Sequence, residues 1–585
     1  MKYLSPAAMV ILAMLQAGCT PAENGTGDTG RQGWSDFERN RFYTEDQGAR
    51  IMPLRWLTAL KQPDGQSFLA DKLARYGYLP NDVDLAYALP IGFTTNGPPG
   101  AQSVGMTCAA CHTRQIEVSG TRHRIDGGPA IVDFQAFLVD LGTAVNTVLT
   151  DPAAFSNFAR EVLNAEPAPA QAAALRRDVS EWYRRYQTLM TRSLPTPSWG
   201  PGRLDAVSMI FNRLTGLDIG TGPDGMIPEN MRRADAPVRY PFLWNASRQD
   251  RTQWPGFAAN GDDILGLARN LGEVYGVFAE FHPFKDRRKL LKVNYIDRNS
   301  ANFTGLLALE NLIERLEPPK YPWKIDAALA KEGEAIYGTS ARAPGACWSC
   351  HGITPGEKRL LGRDTWATPV LDVGTDTRQY TVLATTVRTG VLSGAGVPFL
   401  IPDLKPTDTA FNTLRLSVVG AILQRIVSFT SVRPEQESAQ GPESPGQTLL
   451  EAPASETARA RLLAETPQAQ TLKEAFNAPP PGEVKYEARV LQGIWAAAPY
   501  LHNGSVPTLA DLLKPPAERP AAFRIGPEYD PDAVGLAVNQ TRFTEVLQTT
   551  DCSDRNSGSS RCGHDYGTSL SPEQKRALLE YLKTL

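Results

Sequence analysis

The sequence is sparing with the residues that bind metals and carry redox chemistry. Among 585 residues there are seven cysteines, six histidines and nine methionines, and no methionine follows Met231. An excess of either charge is also missing. Sixty Lys+Arg against 63 Asp+Glu leave a formal net charge of −3, which excludes a strongly basic nucleic-acid binder. No long apolar run follows the extreme N-terminus, so no later segment spans a bilayer as a single helix. With 42% apolar residues the chain is not largely disordered, and its length allows several domains.

The N-terminus reads as an export signal over residues 1–19: Lys2, an apolar run from Ala7 to Leu15, then Ala17-Gly18 before Cys19. Ala-Gly-Cys resembles a bacterial lipoprotein signal, so Cys19 either carries a lipid or is discarded with the leader. The mature chain is expected in the periplasm, on the outer membrane or secreted, touching a membrane only through that lipid. Residues 20–33 are polar and Gly-rich and read as a tether.

The remaining six cysteines fall into three pairs. Cys108-Ala-Ala-Cys111-His112 and Cys347-Trp-Ser-Cys350-His351 are both C-x-x-C-H, the attachment motif of c-type haem. Two thiols on one turn bond to the porphyrin vinyl groups, and the following His becomes the proximal iron ligand. A zinc knuckle would need further Cys or His nearby, and none of the residues between Cys111 and Cys347 is a cysteine. A redox dithiol would not explain a His after the second Cys both times. Two covalently bound haem c groups are therefore expected. Cys552 and Cys562, ten residues apart in a polar loop, are expected to form a disulfide in an oxidising compartment, just before His564.

Helical spacing marks residues 134–149, 172–190 and 325–338, and a capped amphipathic helix begins at Ser571-Pro572. With no strand-rich block, the expected fold is mostly α with long loops: two cytochrome c-like haem domains in a di-haem peroxidase-like arrangement. The proline-rich stretch Glu317 to Pro322 divides an N-terminal haem domain, 34–317, from a C-terminal cytochrome c domain, 318–585. Residues 434–458 are polar and proline-containing, an expected surface insertion.

The histidine inventory limits the ligands on the far side of each iron. With no methionine after Met231, a second-motif iron that is six-coordinate from its own domain must use His502, His564 or a Tyr. His564, behind the disulfide loop, is the favoured distal ligand; the alternative is a hydrogen-bonded loop His. His502 sits at an Asn-Gly turn and would bond a haem propionate or ligate iron. His123, between Arg122 and Arg124, reads as a solvated hairpin residue rather than a displaceable ligand. His282 carries no assignment. This leaves the first iron, on His112, without a protein distal ligand and open to O₂ or peroxide.

The motif pair, the segment Ala498 to Leu509 (APYLHNGSVPTL) and the closing helix resemble the bacterial di-haem cytochrome c peroxidase/MauG superfamily. The stretches VGMTCAACHT (Val104 to Thr113), RIDGGPA (Arg124 to Ala130), YPFLWN (Tyr240 to Asn245), QWPGFAANG (Gln253 to Gly261), LARNLGEVYGVF (Leu267 to Phe278) and GIWAAAPYLHNGSVPTLADLL (Gly493 to Leu513) resemble its rubber-oxygenase (RoxA/RoxB) branch. That resemblance implies that the haem on Cys108, Cys111 and His112 binds O₂. It implies a bis-His electron-transfer haem on Cys347, Cys350, His351 and His564, and a Trp between the two. Trp254 is the candidate, with Trp244 second, and each is also readable as a core aromatic. The implied reaction is oxidative cleavage of C=C bonds in an apolar, isoprenoid or polymeric substrate, with His112, Trp254 and His502 as catalytic candidates. Two rival readings remain. One is a peroxidase reducing H₂O₂ with electrons from a small redox protein, and the other is an electron-transfer cytochrome.

Overall fold

The computed structural model describes residues 31–81, 89–289, 291–338, 346–360, 362–431, 461, 463–476 and 483–585. The leader with Cys19, residues 20–30 of the expected tether and the expected insertion 434–458 lie outside the described residues.

The principal helices are α1 (Asp36–Thr44), α2 (Phe134–Thr150), α3 (Pro152–Leu163), α4 (Pro169–Ser193), α5 (Asp263–Gly276), α6 (Phe303–Glu314), α7 (Ala327–Tyr337), α8 (Ala410–Ser431) and α9 (Pro572–Thr584). Their ends carry the signals that the sequence displays. Asp133, Asp151, Asp205 and Asp262 each accept backbone N–H bonds at a helix start, and Ser571 forms a capping box with Gln574. Strands are short. β1 (Phe93–Asn96) pairs antiparallel with β2 (Ser103–Met106), and β3 (Thr113–Val118) forms a hairpin with β4 (Thr121–Asp126). The first C-x-x-C-H lies between these two hairpins.

Burial of apolar side chains gathers the elements around three cores. One holds α2, α3 and α4 with Phe93, Met106 and Tyr240. A second, between α5 and α8, includes Phe257, Phe411 and Phe476. The third joins Trp34, Ile116, Trp244, Trp495 and Leu578. The last two draw residues from both sides of the proline-rich stretch at 317–322, so the chain is stitched across it. Among the described residues no helix is long and apolar enough to cross a membrane.

The second motif follows α7, which packs along α9. The contact is close because Gly333 lacks a side chain: a Cβ there would sit 1.9 Å from the Ala577 carbonyl oxygen. Tyr337 meets Tyr581 with ring centroids 5.1 Å apart. Replacing Gly333 by Val pushes α7 off α9 and is expected to cost about 3 kcal/mol. Denaturant unfolding measures this, and an unchanged midpoint would contradict the packing described.

Candidate functional site

Both C-x-x-C-H segments fold as a single tight turn. The N–H groups of Cys111 and His112 donate to the Cys108 carbonyl (3.2 and 2.9 Å), and those of Cys350 and His351 to the Cys347 carbonyl (3.2 and 3.0 Å). Each turn therefore presents two thiols and an imidazole together. The first turn is wedged against Gly92, which has φ +79; a Cβ on that glycine would be 2.0 Å from the Ala110 nitrogen. Burial pushes the thiols of Cys108 and Cys111 up to about 12. Neutral thiols in this setting differ from the thiolates of reactive dithiol sites.

The two imidazoles are oriented in the same way. His112 Nδ1 donates to the Pro241 carbonyl at 2.9 Å, and His351 Nδ1 donates to the Arg489 carbonyl at 2.7 Å. A carbonyl oxygen only accepts, so each Nδ1 carries the proton and each Nε2 keeps its lone pair for a metal. Burial lowers both rings, His112 to about 4, which keeps them neutral.

The accepting carbonyls lie on two segments, 239–245 and 486–493, that run side by side as a spine. Trp244 Nε1 donates to the Gln492 carbonyl (2.7 Å), and Asn245 Nδ2 to Gln492 Oε1 (2.8 Å). The Arg489 guanidinium carbon lies 4.1 Å from the centroid of the Phe242 ring. Phe242 in turn stacks on Trp244, 4.7 Å between centroids. The histidines of the two motifs are thus attached to one pair of adjoining strands of chain.

On the second-motif side the spine borders a cavity of about 310 Å³. Cys347, Cys350, His351 and His564 line it, with leucines 491, 509, 512 and 578 among its apolar walls. The His351 and His564 ring centroids are 6.2 Å apart. A metal between two imidazoles, with bonds of about 2 Å to each ring nitrogen, calls for about that separation. His564 is held firmly. The Cys552–Cys562 disulfide ends two residues before it. Gly563, at φ +78, is pressed onto Gly374, and the His564 N–H donates to the Val373 carbonyl at 2.8 Å. Arg519, buried, gathers the carbonyls of Arg561, Gly563 and His564 at 2.7, 2.7 and 3.1 Å. Burial, then the charges of His351 and Arg519, lower His564 to about 4. Its Nδ1 is buried without a hydrogen-bond partner among the described residues.

The cavity wall carries more cations than anions. Arg239 and Arg489 line it together with Glu487, and Arg203 is the cross-strand partner of Arg239. Burial and then Arg489 push Arg239 down to about 9; burial lowers Arg203 to about 10. Arg489 Nη1, although buried, has no hydrogen-bond partner among the described residues. Orphaned guanidinium N–H groups beside an apolar slot suit the two propionates of a haem. By this test the residues fit the group: Cys347 and Cys350 would attach it, His351 and His564 would hold its metal, and the arginines would meet its carboxylates.

His502 is buried on the same wall, stacked on Tyr486 with ring centroids 3.9 Å apart. Burial, then Arg239 and Arg203, lower it to about 3. Trp254 also lines the cavity; its Nε1 donates to the Arg239 carbonyl (3.2 Å), Arg239 covers its ring, and His502 lies 6.5 Å away. Trp244 is on the spine instead. His123 differs from expectation. It is in the β3–β4 hairpin but buried, opposite Ile116 on the inward face, with its ring 5.1 Å from Trp323. The two flanking arginines suggested solvent, yet strand alternation turns them away from the face that buries His123. His282 lies 3.6 Å from Asp218.

Comparison with known proteins adds kinship. Uncharacterized protein y4iJ of Sinorhizobium fredii (strain NBRC 101917 / NGR234) is 30% identical over 615 residues, covering 95% of this chain and 92% of the relative. The chain belongs to the y4iJ family. Uncharacterized protein y4iM of the same organism is 25% identical over 417 residues, covering 68% of this chain and 74% of its own length. The family model described as RoxA-like, cytochrome c-like matches residues 485–524. That stretch supplies Tyr486, Arg489, His502, Leu509 and Leu512 to the cavity, including the carbonyl that orients His351. The match supports a RoxA-type haem protein, with covalently bound haem c and haem oxidoreductase chemistry.

Arg519, Arg489, Arg239 and Phe242 escape sequence reasoning. Lone arginines and an aromatic carry no motif, and only the YPFLWN stretch hinted that this part of the chain mattered. In the haem-loaded protein, His564→Ala is expected to keep the covalent attachment but shift the second site's optical and spin signature from low to high spin. Electron paramagnetic resonance reads this; an unchanged low-spin signal would move the ligand to His502 or a Tyr.

Proposed function

We propose that the chain is an exported di-haem c-type oxidoreductase of rubber-oxygenase type, acting on an apolar, isoprenoid-like substrate with O₂ as oxidant. The observation that carries this reading is the asymmetry of the two motif histidines. They share one spine, yet His351 faces a second imidazole across the cavity, whereas the ring nearest His112 that the contacts reveal is Tyr240, 6.0 Å away. In this reading one haem belongs to the chain before residue 317 and the other to the chain after it, with two cores shared between these mostly helical halves.

Bound at these sites, haem c supplies one-electron redox chemistry and, where a coordination position is open, reaction with O₂. The protein's part is orientation, exclusion of water and charge. The Nδ1 bonds of His112 and His351 fix both rings and raise their basicity toward a metal. Next to the first motif lies a small pocket of about 20 Å³ lined by Val207, Phe211, Phe257, Phe411, Leu414 and Phe476, with Gln253, Arg269 and Glu273 as its polar members. Glu273 is close enough to raise both Cys108 and Cys111 electrostatically. A pocket of this size suits a molecule no larger than O₂ or peroxide. The second motif is nearer the surface: none of Trp348 to His351 is buried, whereas Ala109 and Ala110 are. That favours electron entry from a small redox protein at the second site.

A second reading, peroxide reduction, is favoured by one feature. Gln253 donates to Glu273 at 2.6 Å, and burial raises that carboxyl, the character of an acid–base group. The two separate in one assay. Air-equilibrated protein without peroxide or reductant, mixed with polyisoprene latex, is expected to release carbonyl-ended isoprenoid fragments detectable by mass spectrometry. The fragments should disappear under nitrogen. None from protein verified to hold both haems would turn the assignment to peroxide turnover with a reduced cytochrome.

A further inference from the structure

The spine does more than hold two rings. From His112 the connection runs through the Nδ1–H bond (2.9 Å) to the Pro241 carbonyl, then along the backbone to Phe242. The Phe242 ring meets the Arg489 guanidinium at 4.1 Å. From that side chain the path returns to the Arg489 backbone, whose carbonyl accepts from His351 Nδ1 at 2.7 Å. Every link but one is a covalent or hydrogen bond, and the exception is a ring–guanidinium contact at van der Waals distance. Electronic coupling decays far more slowly through such links than through empty space. Both ends of the path are the Nδ1 positions through which outer groups tune a metal-bound imidazole.

We infer that the Phe242–Arg489 contact is the coupling element between the His112 and His351 sites, joining them proximal side to proximal side. This rests on the two-haem reading above. With both haems bound, one electron would pass from a ferrous iron held by His351 to a ferric iron held by His112. No proton is transferred, because both Nδ1–H bonds stay donated to carbonyls throughout. Trp254 offers a rival route: its ring borders the second cavity and its Nε1–H bonds the Arg239 carbonyl at 3.2 Å, two residues before Pro241. Phe242 is a positioning residue, whereas Arg489 also borders the proposed haem edge.

The substitutions that separate the routes keep charge. Phe242→Leu removes the π face, Arg489→Lys keeps the cation but loses the planar stack, and Trp254→Phe interrupts the rival. Each is made in the full haem-loaded chain. A pulse of reductant injects electrons at the second site, and the Soret bands report inter-haem equilibration. Midpoint potentials of both haems are measured alongside. The expected result is a several-fold slower equilibration in Phe242→Leu with potentials unchanged, a slowing in Arg489→Lys larger than any shift in its potentials accounts for, and a near-native rate in Trp254→Phe. Merely loosened packing would move the potentials and spin signatures, not the rate alone. A native rate in Phe242→Leu, or in Arg489→Lys should Phe242→Leu fail to fold, overturns the inference. So does a loss confined to Trp254→Phe. A wild-type chain carrying a single haem removes the two-haem reading itself, an outcome visible before any rate is measured.

Discussion

Two hydrogen bonds, from His112 Nδ1 to the Pro241 carbonyl and from His351 Nδ1 to the Arg489 carbonyl, set the terms for the rest of the molecule. They fix tautomer and ring orientation, and they tie segments distant in sequence to a single spine. Each motif is then held from behind by a different device. A glycine approach at Gly92 seats the first turn, and the α7–α9 packing through Gly333 seats the second. The loop opposite His351 is held by the Cys552–Cys562 bridge and by Arg519, which binds three of its carbonyls. The site is therefore fixed by backbone groups more than by side-chain pairs.

Charge is the second constraint. Arg203 and Arg239 are direct cross-strand partners and both are buried, a pairing that is unfavourable for like charges. Desolvating them is costly, and near the cavity Glu487 offsets only part of the excess. The orphaned Arg489 Nη1 belongs to the same imbalance. An anionic cofactor edge would relieve it, and on the proposed reading the propionates do so. Binding free energy then adds to folding free energy, as for other sites completed by their cofactor.

The chemistry-bearing residues that were legible in the sequence owe this to local spacing. C-x-x-C-H is a one-turn unit, so Cys108 to His112 and Cys347 to His351 announce themselves, as do the ten-residue Cys552–Cys562 loop and the capped helix after Ser571. His564 was reachable by elimination, because so few histidines and no late methionine were present. What was not legible depends on tertiary contact. Nothing about Arg489 or Phe242 in isolation says that they meet, and Arg519 works through backbone carbonyls more than forty residues away. His123 was misjudged because its neighbours in sequence are arginines, whereas its neighbours in space are Ile116 and Trp323. Trp254 proved ambiguous for a related reason: it lines the cavity wall and also packs under Arg239.

Everything proposed for the chain requires two covalent haems on one spine. The most direct test is the haem-to-protein ratio of the purified chain by pyridine haemochrome, together with the same ratio for the Cys347→Ala/Cys350→Ala double variant. Two haems per wild-type chain and one in the variant is the predicted result. A single haem in the wild type, or an undiminished yield in the variant, would contradict it.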